Sequence, residues 1–144
     1  MSVVEEGIIN RLITASRTKA IINDRAFSGV IQPNEEETWL PAVSVELVNS
    51  TPALHAGGET GVSEANLLIT CWGKRQSDAK TLGEAVRLDL NTYKGHQGPV
   101  FLRAVFLEDA EDIAFQSADN SELRAHGVQF TANVWFAHQL AVPY

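Results

Sequence analysis

The feature that most constrains the fold is a strand followed at once by an amphipathic helix, between Val62 and Gly95. Residues 65–72 form an apolar run, and Gly73-Lys74-Arg75 leads into a helix predicted from about Ser77 to Tyr93. At about 100° per residue, this helix has one apolar and one polar face. The apolar face comprises Ala79, Leu82, Gly83, Val86, Leu90 and Tyr93, and the polar face Lys80, Glu84, Arg87 and Asn91. Ser77 stands where an N-cap is usual and Gly95 where a left-handed C-terminal residue is usual, so the segment is predicted to be scaffold.

The last strand, predicted from Glu122 to His138, shows the cleanest period-two pattern in the chain. Val128, Phe130, Ala132, Val134 and Phe136 form its apolar face. Trp135 stands on the opposite, polar face, and Trp72 lies on a similarly mixed face of the earlier strand. Exposed tryptophans are enriched at the centres of interfaces, but loops of the same chain could also cover both rings. Both interpretations stay open.

The N-terminal part begins with capping-box spacing from Ser2 to Glu5, which predicts a helix to about Ser16. Its apolar arc is nearly 180° wide, which suits either a helix lying in a groove or a second contact with a neighbouring subunit. A short polar connection is expected at 17–24, then a strand at 26–32 and another from Pro41 to Val48.

A glycine-rich stretch from Asn49 to Gly61 is predicted to be a long loop. Its characteristic residues are His55, Gly57, Gly58 and Gly61. A phosphate-binding loop would need Gly-Lys-Ser/Thr opening a helix, which this stretch lacks. We therefore expect a projecting loop that becomes ordered on assembly.

Two acidic clusters are expected at the surface. One comprises Glu35, Glu36 and Glu37, and the other Glu108, Asp109, Glu111 and Asp112. The second follows a strand predicted from Pro99 to Leu107, which is apolar on both faces except at Arg103 and is therefore expected at the centre of the sheet. The second cluster lacks calcium-loop spacing. For the first, a solvated loop or a surface facing a partner or a lumen is the favoured interpretation, and for the second a solvated acidic surface.

The order helix, strand, strand, strand, helix, strand, strand predicts an α+β fold, a mainly antiparallel sheet with two helices packed on one face. At 144 residues the chain suits one domain, residues 1–144. The net charge of −7 disfavours a protein that grips nucleic acid through phosphates. The chain has a single Cys, no zinc-ligand spacing and no catalytic motif, so we expect no metal, no cofactor and no enzyme activity. It also has no run of apolar residues long enough to cross a membrane, so we expect no membrane contact.

The order of these motifs resembles the tail completion or tail terminator family of long-tailed bacteriophages. The resemblance is carried by Leu54 to Gly61, Leu67 to Gly73, and the helix ending Ala85-Val86-Arg87-Leu88-Asp89-Leu90-Asn91-Thr92-Tyr93-Lys94-Gly95. The acidic cluster after the fourth strand and the aromatic-rich final strand also fit. The acidic loop at 34–38 is longer than that family's pattern.

The resemblance implies a structural virion protein, present in the host cytoplasm during assembly, that forms a ring, usually of six subunits. Such a ring would stand at the head-proximal end of the tail, stop growth of the tail-tube protein and join the tail to the head connector or stopper. DNA would pass through the lumen, which either acidic cluster could line because carboxylates repel phosphates. Leu88, opposite the helix's core-facing arc, and Trp135 then suggest a ring-closing contact. Another neck component and a small-ligand-binding α+β module remain alternatives.

Overall fold

A six-stranded sheet with helices packed on one face makes up the computed structural model, which describes residues 3–29, 40–55, 58–98, 100–116 and 124–138. The spatial order of the strands is β1-β2-β3-β6-β5-β4, with β1 parallel to β2 and every other pair antiparallel. The α+β prediction is confirmed. The strands are β1 (Ala26–Ser28), β2 (Ala42–His55), β3 (Gly58–Gly73), β4 (Gly95–Gln97), β5 (Val100–Gln116) and β6 (Arg124–His138).

The helical layer contains α1 (Val3–Thr14), α2 (Ser16–Ile22) and α3 (Gln76–Leu90), one helix more than predicted from the sequence. The additional helix, α2, replaces the polar connection expected at 17–24. Its buried residues Thr18 and Ile22 attach it to the rest of the molecule, so tertiary contacts stabilise a helix too short to persist alone. None of the described helices is long and apolar enough to cross a membrane.

The core lies between the helices and one face of the sheet. The alternation predicted for the last strand is confirmed, because all five apolar-face residues of β6 are buried. On β3, Ala65, Leu67, Ile69 and Cys71 are fully buried on the same side. The apolar face of α3 is confirmed at Ala79, Leu82, Gly83, Val86 and Leu90, and this face packs mainly on β3 and β6.

Both predicted ends of α3 are wrong. Its N-cap is Arg75, which makes no side-chain capping bond, rather than Ser77. At the other end the chain turns at Thr92, whose φ is 64°, while Gly95 already belongs to β4. The backbone N–H of Thr92 donates to the carbonyl oxygen of Val105 at 2.8 Å. This bond attaches the turn to β5, and the helix ends before Tyr93.

The loop predicted at 49–61 is also wrong. Strand β2 continues to His55 and β3 begins at Gly58, with His55 opposite Gly58 and Leu54 opposite Glu59. Pairing is interrupted by register shifts after Leu47 and after Pro52. These bulges accommodate the proline and the broken alternation that suggest a loop in the sequence.

Strand β5 is longer and less central than predicted. It runs past Leu107 to Gln116 and stands second from the edge of the sheet, where the short strand β4 is its outer neighbour. Strands β3 and β6 occupy the centre instead. The acidic residues from Glu108 to Asp112 therefore lie in a strand, because pairing with β6 outweighs their low strand propensity.

Candidate assembly surfaces

The face of the sheet that points away from the helices carries both tryptophans of interest. Trp72 and Trp135 are each half-buried there. The indole N–H of Trp72 donates to the Ser44 hydroxyl at 3.2 Å, and that of Trp135 to the Asn133 side-chain oxygen at 2.9 Å. Both polar ring atoms are therefore satisfied within the chain, which leaves the flat apolar faces as what a partner could contact.

A row of side-chain amides crosses this same face from β6 to β2. Asn133 donates to the Asn66 oxygen at 3.2 Å, and Asn66 donates to the Asn49 oxygen at 2.9 Å. With the bond from Trp135, the row ties three strands together. These cross-strand bonds stabilise the face without adding charge to it. The bond from Trp135 also fixes the orientation of its ring.

Among the charged residues of the four long strands, carboxylates outnumber cations. The segments contain Glu46, Glu59, Glu64, Glu108, Asp109, Glu111 and Asp112 against Arg103 and Arg124. Glu108, Glu111 and Asp112 are exposed on β5, where a register shift separates Glu108 from Glu111. The Glu35–Glu37 cluster lies outside the described residues.

The second surface belongs to the helices, and a buried carboxylate organises it. Asp89 is 3% exposed, and its Oδ2 accepts from the Thr18 backbone N–H at 2.9 Å and from the Thr18 hydroxyl at 2.7 Å. Its Oδ1 lies 3.2 Å from Arg17 Nη1. The Arg11 guanidinium donates to the Asp89 backbone carbonyl at 3.1 Å and lies 4.1 Å from the centre of the Tyr93 ring. Asp89 thus fixes α2 against α3.

A shallow groove follows from this arrangement. Two adjoining depressions share Ile21 and Thr81 and together form what we call the α2–α3 groove. Leu88 lines one end and is 50% exposed, as predicted from its position opposite the core-facing arc. The remaining lining residues are Arg17, Leu40, Pro41, Lys74, Asp78, Lys80, Glu84 and Ala85.

Cations are concentrated on this helical surface. Segments 16–24 and 74–90 contain Arg17, Lys19, Lys74, Arg75, Lys80 and Arg87 against Asp24, Asp78, Glu84 and Asp89. Glu84 is paired with Arg87, whose hydrogen bond lowers the pKa of the glutamate while the pKa of the arginine is raised. Within the described ranges Lys80 makes no ion pair, so its charge is available to a partner.

The remaining predicted site residues do not converge. His55 is the last residue of β2, and Gly58 and Gly61 belong to the start of β3. Gly57 lies outside the described residues. Among the described residues no three His, Cys, Asp or Glu side chains are placed to hold a metal ion. Cys71 is fully buried, and burial raises the pKa of its thiol.

Sequence reasoning missed Asp89 as an organising residue. The signal was available, because Asp89 stands three residues after Val86 and seven after Leu82 on the buried face of α3. A charged residue on the apolar face of an amphipathic helix requires a buried partner. The partner itself could not be located, since Thr18 is 71 residues away along the chain.

The fold has a counterpart in an assembled particle. It is similar to a chain from the virion of a native gene transfer agent (GTA) particle. The TM-score is 0.58 at 15% sequence identity, and the match covers 92% of this chain and 94% of that chain. At this identity the similarity shows a shared fold. No protein-family model and no curated protein sequence matches this chain.

Proposed function

We propose that this chain is a structural virion protein of a phage-like particle, in which it forms a ring at the head-proximal end of the tail. The ring, most simply a hexamer, ends growth of the tail tube and joins the tail to the head connector. The observation that supports this most strongly is the near full-length similarity in fold to a chain of a gene transfer agent virion. The order of sequence motifs shared with tail terminators supports it independently.

The distribution of charge suits a ring through which DNA passes. The four long strands carry seven carboxylates against two cations, whereas the three helices carry five of each. We therefore place the carboxylates Glu108 and Glu111 of β5 toward the lumen, where negative charge repels phosphates and prevents DNA from adhering. The part of the outer face around Trp72 and Trp135 is left for the contact between subunits. The function needs no catalysis and no cofactor.

A different neck component of the same particle would share these features, including the fold. It would differ in what it does to the tube, since only a terminator stops polymerisation. A small-ligand-binding module would need a pocket with convergent polar groups between sheet and helices. The core there consists of apolar side chains at the described positions, which favours the assembly role.

The test uses assembly on the tail tube. The chain is mixed with polymerising tube protein of its own particle, and bound mass is followed by light scattering. We expect Leu88→Glu to reduce bound oligomer at least tenfold while its circular-dichroism melting curve stays near that of the native chain. Trp135→Ala should act in the same direction. Ser77→Glu, which adds the same single negative charge at another exposed position of α3, is the matched control.

Two outcomes would contradict the proposal. One is tube growth that continues unchanged when the native chain is present. The other is an equal loss of folding and of assembly in Leu88→Glu, which would make Leu88 a structural residue rather than a contact.

A further inference from the structure

We propose that the turn formed by Asn91 and Thr92 shields the open border of β5 from strand addition by a second copy of this chain. When the turn is removed, the same stretch of β5 in two copies pairs about a two-fold axis. The inference goes beyond the proposed ring and does not depend on it, because it concerns backbone groups at the sheet border rather than the surfaces that would meet in a ring.

One regular stretch of β5 lies at the border of the sheet. Strand β4 pairs with Val100 to Leu102 and with no later residue of β5. The next regular stretch runs from Ala104 to Glu108, with a register shift against β6 on either side of it. None of the described strands lies along the border side of this stretch. Irregular backbone disfavours strand addition, so Ala104 to Glu108 is the part of β5 that a new strand could use.

The composition of this stretch favours such an addition. Ala104-Val105-Phe106-Leu107 is apolar, carries no charge and is rich in residues that favour strands. The Phe106 side chain is 45% exposed. Apolar, uncharged edges of this kind are the usual sites at which strands of separate chains associate. An unprotected border of this composition is therefore expected to pair.

The turn after α3 bonds to the middle of this stretch. The Thr92 backbone N–H donates to the Val105 carbonyl oxygen at 2.8 Å, and the Leu107 backbone N–H donates to the Asn91 side-chain oxygen at 3.2 Å. These bonds leave β5 on the side opposite β6, so they engage the groups that an added strand would have to bond. The turn thus supplies one donor and one acceptor in place of a strand.

The turn keeps this position at a conformational cost. Thr92 has a φ of 64°, in the left-handed region that β-branched residues rarely adopt. Such a conformation persists where the surrounding contacts determine it. Here the bond to Val105 fixes one side of the turn, and a bond of 2.9 Å from the Tyr93 N–H to the Leu90 carbonyl oxygen fixes the other. The contact with β5 therefore outweighs the strain at Thr92.

Two uncovered copies of this stretch are complementary to each other. In an antiparallel pair with its two-fold axis at Phe106, the Leu107 N–H of each copy donates to the Val105 carbonyl oxygen of the other. These are the two backbone groups that the turn engages. Removal of the turn therefore exposes both halves of a self-complementary contact.

Among the described residues, the opposite border of the sheet offers no comparable stretch. Strand β1 pairs with Val43 to Val45. Register shifts follow after Leu47 and after Pro52, with four residues in register between them. One of these four is the proline, which has no backbone N–H to donate. Addition through β5 should therefore stop at a dimer.

The test removes the acceptor of the turn and measures both mass and amide exchange. It uses the full-length chain with Leu88→Glu, so that closure of the proposed ring does not compete. We expect Asn91→Ala to speed exchange of the Leu107 amide about tenfold or more in dilute solution, because its hydrogen bond is lost. At high concentration, sedimentation should show a dimer in which NMR finds that amide protected again. Asn91→Ser is a second variant with the same expected result, and circular-dichroism melting checks that each variant is folded.

Two comparisons locate the contact. Asn91→Asp keeps an acceptor for the Leu107 N–H and should remain monomeric. Addition of Phe106→Lys to Asn91→Ala should abolish the dimer, because the two-fold axis places the two lysines side by side. Val48→Lys, at a strand position that is 56% exposed, is the matched control and should leave the dimer intact.

Three results would overturn the inference. Unchanged exchange at Leu107 in Asn91→Ala would show that the turn does not protect the border. Fast exchange in a chain that stays monomeric at the highest concentration would show that the border does not pair. A dimer that persists with Phe106→Lys would place the contact elsewhere. None of these results bears on the proposed function, which is tested by tube growth with the turn intact.

Discussion

Asp89 is the residue on which the arrangement of the helices depends most. It is almost fully buried, and both hydrogen bonds from Thr18 end on one of its oxygens. Its ionic partner Arg17 is largely exposed, so solvent screens that attraction. The stabilising effect of Asp89 therefore comes mainly from accepting the two buried donors of Thr18.

We expect Asp89→Asn to lower the free energy of unfolding by about 2 kcal/mol. An amide that keeps its oxygen toward Thr18 turns its NH2 group toward the Arg17 guanidinium, and the opposite orientation leaves a buried donor unmatched. Arg17→Gln is the control and should cost less than about 1 kcal/mol. Urea denaturation of both variants measures the difference. Equal losses would show that the ion pair, not the buried hydrogen bonds, holds α2.

The junction of β3 with α3 is the element whose geometry is most tightly specified. Gly73 is buried at the end of the strand, and a Cβ placed there would lie 2.7 Å from the Ala79 backbone nitrogen and 2.8 Å from Asp78 Cβ. Both contacts belong to the first turns of α3. A side chain at position 73 would therefore push the helix away from the strand on which it packs.

Gly73→Ala is accordingly expected to destabilise the chain by about 2–3 kcal/mol. Ser77→Ala is the informative comparison, because the sequence predicts Ser77 to be the N-cap whereas the structure assigns no capping bond there. Its cost should be within about 0.5 kcal/mol. Thermal melting of the two variants measures both losses of stability. A loss of about 1 kcal/mol or more in Ser77→Ala would restore it as a cap.

Periodic elements were predictable from the sequence, and elements fixed by distant contacts were not. The faces of α3 and β6 follow from residue spacing alone, since each buries a regular stripe of apolar side chains. The outer halves of β2 and β5 cannot be predicted in this way. The first is glycine-rich and the second acidic, and each becomes a strand only because it pairs with the neighbouring strand of its hairpin. Leu88 was found as an exposed apolar residue, but the groove around it required knowledge of α2.

At the scale of the whole molecule, charge is divided between two sides. A chain with net charge −7 carries five cations and five carboxylates on its three helices, and a marked excess of carboxylates on the long strands. An even distribution of charge over the surface would suffice to keep the chain soluble. The net negative charge instead lies mainly on the strands, which suits the proposed lumen, because a surface of one sign repels a polyanion.

The most direct measurement is tail length in particles produced without this chain. A ring that terminates the tube and joins it to the head predicts tails that extend well past the normal length, together with heads that carry no tail. Supplying the native chain should restore normal tails joined to heads, and supplying Leu88→Glu should not. Tails of normal length attached to heads in the absence of the chain would contradict the account.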